Sequence, residues 1–69
     1  MEEELRAKAL KVLQNLLEDY TTAKETGDEH NIGLTKYALL GASEVFETLF
    51  GEEVYWYGGK ITTEKAEED

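Results

Sequence analysis

The sequence predicts a mainly α fold, an antiparallel helical hairpin followed by a short C-terminal β-hairpin. Two segments before Gly51 repeat apolar residues at steps of three and four, which is the helical period. A short turn around Gly27 separates these segments, and β-favouring residues flank the pair Gly58-Gly59. A chain of 69 residues has room for one domain, which we expect to span residues 1–69.

The first helix is predicted over residues 3–25. Glu2, Glu3 and Glu4 lie at its start, where the positive end of the helix dipole favours carboxylates. Its apolar arc covers roughly 160°, which is wider than a contact with one other helix requires. The residues of this arc are Leu5, Ala9, Val12, Leu13, Leu16, Tyr20 and Ala23.

The second helix is predicted over residues 29–50. In the preceding turn, Gly27 suits a left-handed cap, and Asp28 suits an N-cap that accepts hydrogen bonds from free amides. Because the loop is so short, the two helices should be antiparallel neighbours. Most apolar residues of the second helix again fall in an arc of roughly 160°. They are Ile32, Leu34, Tyr37, Ala38, Leu39, Leu40, Ala42, Val45, Phe46, Leu49 and Phe50.

The two wide apolar arcs also predict self-association. A chain of this length buries only about 60% of its unfolded surface, and small domains usually need a further source of stability. The sequence has no Cys, so a disulfide cannot supply it. We therefore expect a homo-oligomer, most simply a two-fold dimer in which two helical hairpins form a four-helix arrangement.

A β-hairpin is predicted over residues 54–63. A two-residue Gly-Gly loop favours a primed turn, since such turns need positive φ angles. The expected cross-strand pairs are Val54–Thr63, Tyr55–Thr62, Trp56–Ile61 and Tyr57–Lys60. Side chains alternate between the two faces of a strand. Those expected to pack on the helices are Val54, Trp56 and Ile61, and those expected on the outer face are Tyr55, Tyr57 and Lys60. Residues 64–69 are expected to form a solvated acidic tail.

The charge balance limits the kinds of partner. Sixteen acidic and seven basic residues give a net charge of −9. Residues 1–43 hold eight acids and five bases, net −3, and residues 44–69 hold eight acids and two bases, net −6. Such a chain repels nucleic acid and anionic membranes and is attracted to basic surfaces. The start is acidic where a signal peptide is basic, and no apolar run approaches the roughly 20 residues that cross a bilayer, so we expect a cytoplasmic protein.

The sequence contains no catalytic motif, and we expect a protein that is not an enzyme. The chain has one Ser, Ser43, and one His, His30. They lie thirteen residues apart on one helix, so their side chains are too far apart to meet within one chain. Asp28, Glu29 and His30 are consecutive, but neighbours at a helix start point in different directions and do not converge on a metal. We therefore predict no metal and no cofactor.

A protein-binding surface is the function that the residues favour. Tyrosine and tryptophan are enriched at binding hot spots, and acidic residues around them suit a basic, partly apolar partner protein. The predicted partner-binding residues are Glu44, Glu47, Glu52, Glu53, Tyr55, Trp56, Tyr57 and Lys60. Three alternatives stay open at this point. The tyrosines can pack in the dimer, the aromatic residues can stack on a nucleotide signal at a subunit junction, or the chain can serve purely as an assembly subunit.

Two family resemblances accompany this interpretation. The segment from Ala7 to Ala42, with its Gly27-Asp28 turn, resembles a single tetratricopeptide-type helical pair. It departs from that family in having one unit, no proline after the second helix, and a hairpin where the next repeat would begin. The acidic, Cys-free chain with its aromatic stretch from Phe46 to Tyr57 resembles, in style, accessory proteins of phages and mobile elements. That resemblance implies an inhibitor of a host enzyme.

Overall fold

Two helices and a two-stranded antiparallel sheet make up the fold, in the predicted order. The computed structural model describes residues 2–64. The elements are α1 (Glu2–Thr26), α2 (Glu29–Phe50), β1 (Tyr55–Tyr57) and β2 (Lys60–Thr62). The predicted fold class, a helical hairpin followed by a β-hairpin, is confirmed. Of the predicted acidic tail, residues 65–69 lie outside the described residues.

The helix boundaries follow from capping residues that the sequence makes visible. Gly27 has a φ of 73°, and its N–H donates to the carbonyl of Ala23 at 3.0 Å. The carboxylate of Asp28 accepts hydrogen bonds from the backbone N–H groups of His30 and Asn31 at 3.1 and 3.3 Å. Both predicted caps of the turn are thus confirmed, and they satisfy amides and carbonyls that a helix end leaves open.

The core lies between α1 and α2 and extends under the start of the β-hairpin. Leu13 and Leu39 are each 1% exposed and occupy its centre. The buried cluster consists of Leu13, Leu17, Leu39, Phe46 and Val54. Partly buried residues pack around it, and the rings of Phe46 and Phe50 lie 4.7 Å apart between centroids. The core is small, as expected for this chain length.

The β-hairpin turns at Gly58 and Gly59, whose φ angles are 58° and 79°. Two consecutive residues with positive φ are typical of a type I′ turn, which matches the twist of the strands. The predicted register is confirmed for the pairs Tyr55–Thr62, Trp56–Ile61 and Tyr57–Lys60. The ladder stops there, and the expected fourth pair is not part of it. The strands pack on the helices chiefly through β2 and α1.

Within residues 2–64, neither helix combines the length and the hydropathy needed to cross a membrane.

Candidate protein-binding site

Arg6 fixes the start of α1 to the segment that leads into the β-hairpin. Its Nε donates to one carboxylate oxygen of Glu52 at 2.6 Å, and its Nη2 donates to the other at 2.7 Å. The same Nη2 also donates to the hydroxyl of Thr63 at 3.0 Å. This bidentate geometry is the strong form of an arginine–carboxylate contact. The hydrogen bonds from Arg6 lower the pKa of Glu52, and the carboxylate in turn raises the pKa of Arg6.

Gln14 binds the turn end of the β-hairpin through both atoms of its amide. Its Nε2 donates to the carbonyl of Gly59 at 3.0 Å, and its Oε1 accepts from the backbone N–H of Ile61 at 2.9 Å. The amide thereby satisfies backbone groups near the start of β2. Sequence reasoning missed Arg6 and Gln14. One signal for Arg6 was available in the sequence. Arg6 lies two helical turns before Leu13, so a charged residue falls on the side of α1 that carries apolar core residues.

Two of the carboxylates that are predicted to bind a partner also have contacts within the chain. Glu47 accepts a hydrogen bond from the backbone N–H of Val54 at 2.9 Å and is partly buried. Glu47 lies on the side of α2 opposite the apolar arc, and it meets Val54 because the chain reverses at Gly51 and returns to it. Glu52 is held by Arg6. Neutralising either residue would therefore disturb the fold as well as the surface.

The outer face of the β-hairpin carries an ordered aromatic pair. The rings of Tyr55 and Tyr57 are stacked, with centroids 6.1 Å apart and an interplanar angle of 14°. The hydroxyl of Tyr55 donates to the carboxylate of Glu53, and this hydrogen bond to a negative charge raises the pKa of Tyr55. Lys60 lies directly opposite Tyr57 in the ladder and is exposed. We call these four residues, Glu53, Tyr55, Tyr57 and Lys60, the tyrosine patch.

The remaining predicted site residues lie elsewhere. Trp56 is on the other face of β1, as predicted, but 38% of it stays exposed, and it is β2, not β1, that lies against α1. Trp56 lines a groove with Tyr20 and Lys24, whose Nζ lies 5.3 Å from the centroid of the Tyr20 ring. Glu44 is exposed on α2 and is separate from the hairpin. The structure therefore brings together only part of the predicted set.

The two residues that most resemble catalytic groups are far apart. Ser43 is 6% exposed, and its Oγ has no hydrogen-bond partner among the described residues. His30 is exposed in the first turn of α2, thirteen residues before Ser43, which corresponds to about 20 Å along a helix. Within residues 2–64, no group of three or more His, Cys, Asp or Glu side chains is arranged to hold a metal ion.

A second surface lies on the side of the helical hairpin away from the β-hairpin. At about 100° per residue, Val12 points to the side of α1 nearly opposite Gln14, which contacts β2. An apolar groove of about 300 Å³ runs there between α1 and α2. We call this surface the open helical face, and its exposed apolar residues are Leu5, Val12, Leu34, Val45 and Leu49. The expectation that packing within one chain leaves apolar surface uncovered is confirmed.

The fold and these two surfaces define a small helical hairpin with a docked β-hairpin. Comparisons of the chain with protein-family models, with curated proteins and with solved structures find no match.

Proposed function

We propose that this chain is a non-enzymatic acidic interaction protein that binds a basic partner protein through the tyrosine patch and blocks or modulates it. The observation that carries the proposal is the stacked pair Tyr55 and Tyr57 beside the carboxylate of Glu53. A phage-encoded inhibitor of a host defence or nucleic-acid enzyme is one concrete form of this function.

The geometry of the patch favours binding because its two aromatic rings are already stacked on each other in the chain without a partner. Tyrosine offers a large contact area at a low cost in conformational entropy, and the stack of Tyr55 on Tyr57 reduces that cost further. Tyr57 is 45% exposed, so a partner can still bury much of its ring. The net charge of −9 attracts a basic partner over a long range and accelerates its association.

The proposal is tested by affinity capture from a cell lysate on the immobilised chain, with two matched variants. The double variant Tyr55→Ser/Tyr57→Ser removes both rings of the patch. Tyr37→Ser removes an equally large ring that is 75% exposed on α2, outside the patch. We expect one basic protein to be retained by the parent chain and by Tyr37→Ser, and to be lost by the double variant.

Salt and a charge variant separate the electrostatic part of this interaction from the aromatic part. Retention should weaken as ionic strength rises, because exposed charges are screened. Glu53→Gln should weaken it at low salt, since the patch then loses a negative charge. Equal retention of the same protein by the parent and by the double variant would exclude the tyrosine patch as the binding site.

The alternative of a nucleotide-signal sponge receives less support from the geometry. It requires Tyr55, Trp56 and Tyr57 to form one stacking site at a subunit junction, yet Trp56 lies on the opposite face of β1 from the two tyrosines. Arg6, one of the few cations available for a phosphate, is held by Glu52. Binding of a nucleotide would change the fluorescence of Trp56, and an unchanged signal across a panel of nucleotides removes this alternative.

A cytoplasmic location belongs to the same proposal. Fractionation of cells that produce the tagged chain tests it, and recovery in the membrane pellet would contradict it.

A further inference from the structure

We infer that the open helical face is a homodimer interface in which α1 of one copy packs antiparallel to α1 of a second copy. This inference is independent of the proposed function, because the open helical face and the tyrosine patch are on different parts of the molecule.

The exposed apolar area is the first reason. The five residues of the open helical face are 55–70% exposed. If each has on the order of 170 Å² of surface when fully exposed, they leave about 500 Å² uncovered, which lies in the upper part of the roughly 300–600 Å² found for the largest apolar patch on a typical monomer, a patch that is often functional. Two copies that cover each other would bury about 1,000 Å² from these residues alone, the area that a specific interface should reach.

The charges along α1 are the second reason, and they indicate a second copy of this chain as the occupant. Lys8, Val12 and Asp19 fall within about 40° of one another on α1, so all three border the same face. Lys8 precedes Val12 and Asp19 follows it. In an antiparallel pair centred between Leu13 and Gln14, Lys8 of each copy faces Asp19 of the other. Within its own chain Lys8 makes only an exposed contact of 4.0 Å with Glu4, which leaves it able to pair across the interface. The border of the face is thus complementary to itself, although the whole chain is strongly acidic.

The sizes of the residues along α2 fit the same symmetry. Ala38 and Gly41 lie on the same side of α2 as Val45 and Leu49, within about 80°. Val12 and Val45 line the groove together, which aligns the two helices along their length. The axis that brings Lys8 opposite Asp19 therefore crosses α2 close to Ser43, and it brings Ala38 to roughly the level of Leu49, and Gly41 to roughly the level of Val45, of the second copy. Small residues opposite large ones allow two helices to interdigitate.

Sedimentation equilibrium over a range of protein concentrations tests the interface with two variants of matched chemistry. Leu49→Gln changes an exposed residue inside the open helical face. Leu40→Gln makes the same change at a residue that is 42% exposed on another side of α2. We expect a concentration-dependent dimer for the parent, an unchanged dimerisation Kd for Leu40→Gln, and at least a tenfold weaker Kd for Leu49→Gln. Because Leu49 is exposed in one chain, far-UV circular dichroism of both variants should stay unchanged.

A charge exchange tests the antiparallel arrangement. Lys8→Glu and Asp19→Lys should each weaken the dimer, since each creates a like-charge contact, and the double variant should recover the parent Kd. A monomer at all concentrations would overturn the inference and leave the face to a different protein. Equal loss of the dimer in Leu40→Gln would also overturn it. If the double variant Lys8→Glu/Asp19→Lys dimerised as weakly as the two single variants, the antiparallel pairing would be overturned.

Discussion

Replacing Gln14 by Ala should weaken the docking of the β-hairpin on α1 while leaving the helical hairpin folded. The substitution removes the hydrogen bonds to the carbonyl of Gly59 and from the N–H of Ile61. A typical intramolecular hydrogen bond contributes about 1 kcal/mol net, so the docked state should lose about 2 kcal/mol. That loss reduces the ratio of docked to undocked hairpin by a factor of about 30.

Two measurements report on this change separately. The chain has one Trp, and Trp56 lies on the hairpin, so its emission should shift to the red as the hairpin leaves α1. Amide hydrogen exchange at Ile61 should accelerate about 30-fold, because its N–H loses its acceptor and opens more often. The far-UV circular dichroism signal of the helices should change little.

Asn15→Ala is the matched control for this experiment. Asn15 is the next residue along α1 and is exposed, and its replacement brings a similar gain in helix propensity without touching the hairpin. Identical Trp56 emission and identical Ile61 exchange in the two variants would refute the role assigned to Gln14.

Three further predictions concern stability. Ser43→Ala should raise the free energy of unfolding by about 1 kcal/mol, because a buried hydroxyl without a partner is removed, and a lower urea midpoint would contradict this. Gly33→Ala should raise it by a similar amount, about 1 kcal/mol, through helix propensity, since nothing lies within 4 Å of the added Cβ; thermal unfolding measures it. Because the contact with Arg6 lowers the pKa of Glu52 in the folded chain, this contact stabilises the fold fully above the ordinary carboxyl pKa. The stabilisation is lost as the pH falls through the lowered pKa. Glu52→Gln should therefore flatten the acid limb of a stability–pH curve, and an unchanged limb would argue against the Arg6 contact.

The sequence predicts the elements of this fold well because their determinants are local. Asp28 caps the residues that directly follow it, and Gly58-Gly59 sets the register of the strands on either side. These effects act over a few residues and are visible in the order of the amino acids. Helical periodicity likewise identifies Leu13 and Leu39 as candidates for the core.

The anchoring contacts could not be predicted in the same way. Arg6 and Glu52 are 46 residues apart, and Gln14 and Ile61 are 47 apart, so their meeting depends on how the hairpin folds back over α1. The direction of the chain after Gly51 decides whether Glu47 faces solvent or Val54. For the same reason the sequence could not show that two of the predicted binding residues have partners within the chain, since composition cannot distinguish a free carboxylate from one that is held by an arginine.

The contact between Arg6 and Thr63 also has a consequence for the order of folding. The two residues are separated by 57 positions, whereas α1 and α2 are joined by a loop of two residues. Closing a short loop costs less chain entropy than closing a long one, so the helical hairpin should form first and the β-hairpin should dock last. During synthesis, Arg6 therefore has no partner until Glu52 and Thr63 have been added to the chain. The first turn of α1 reaches its final stability only when these contacts form.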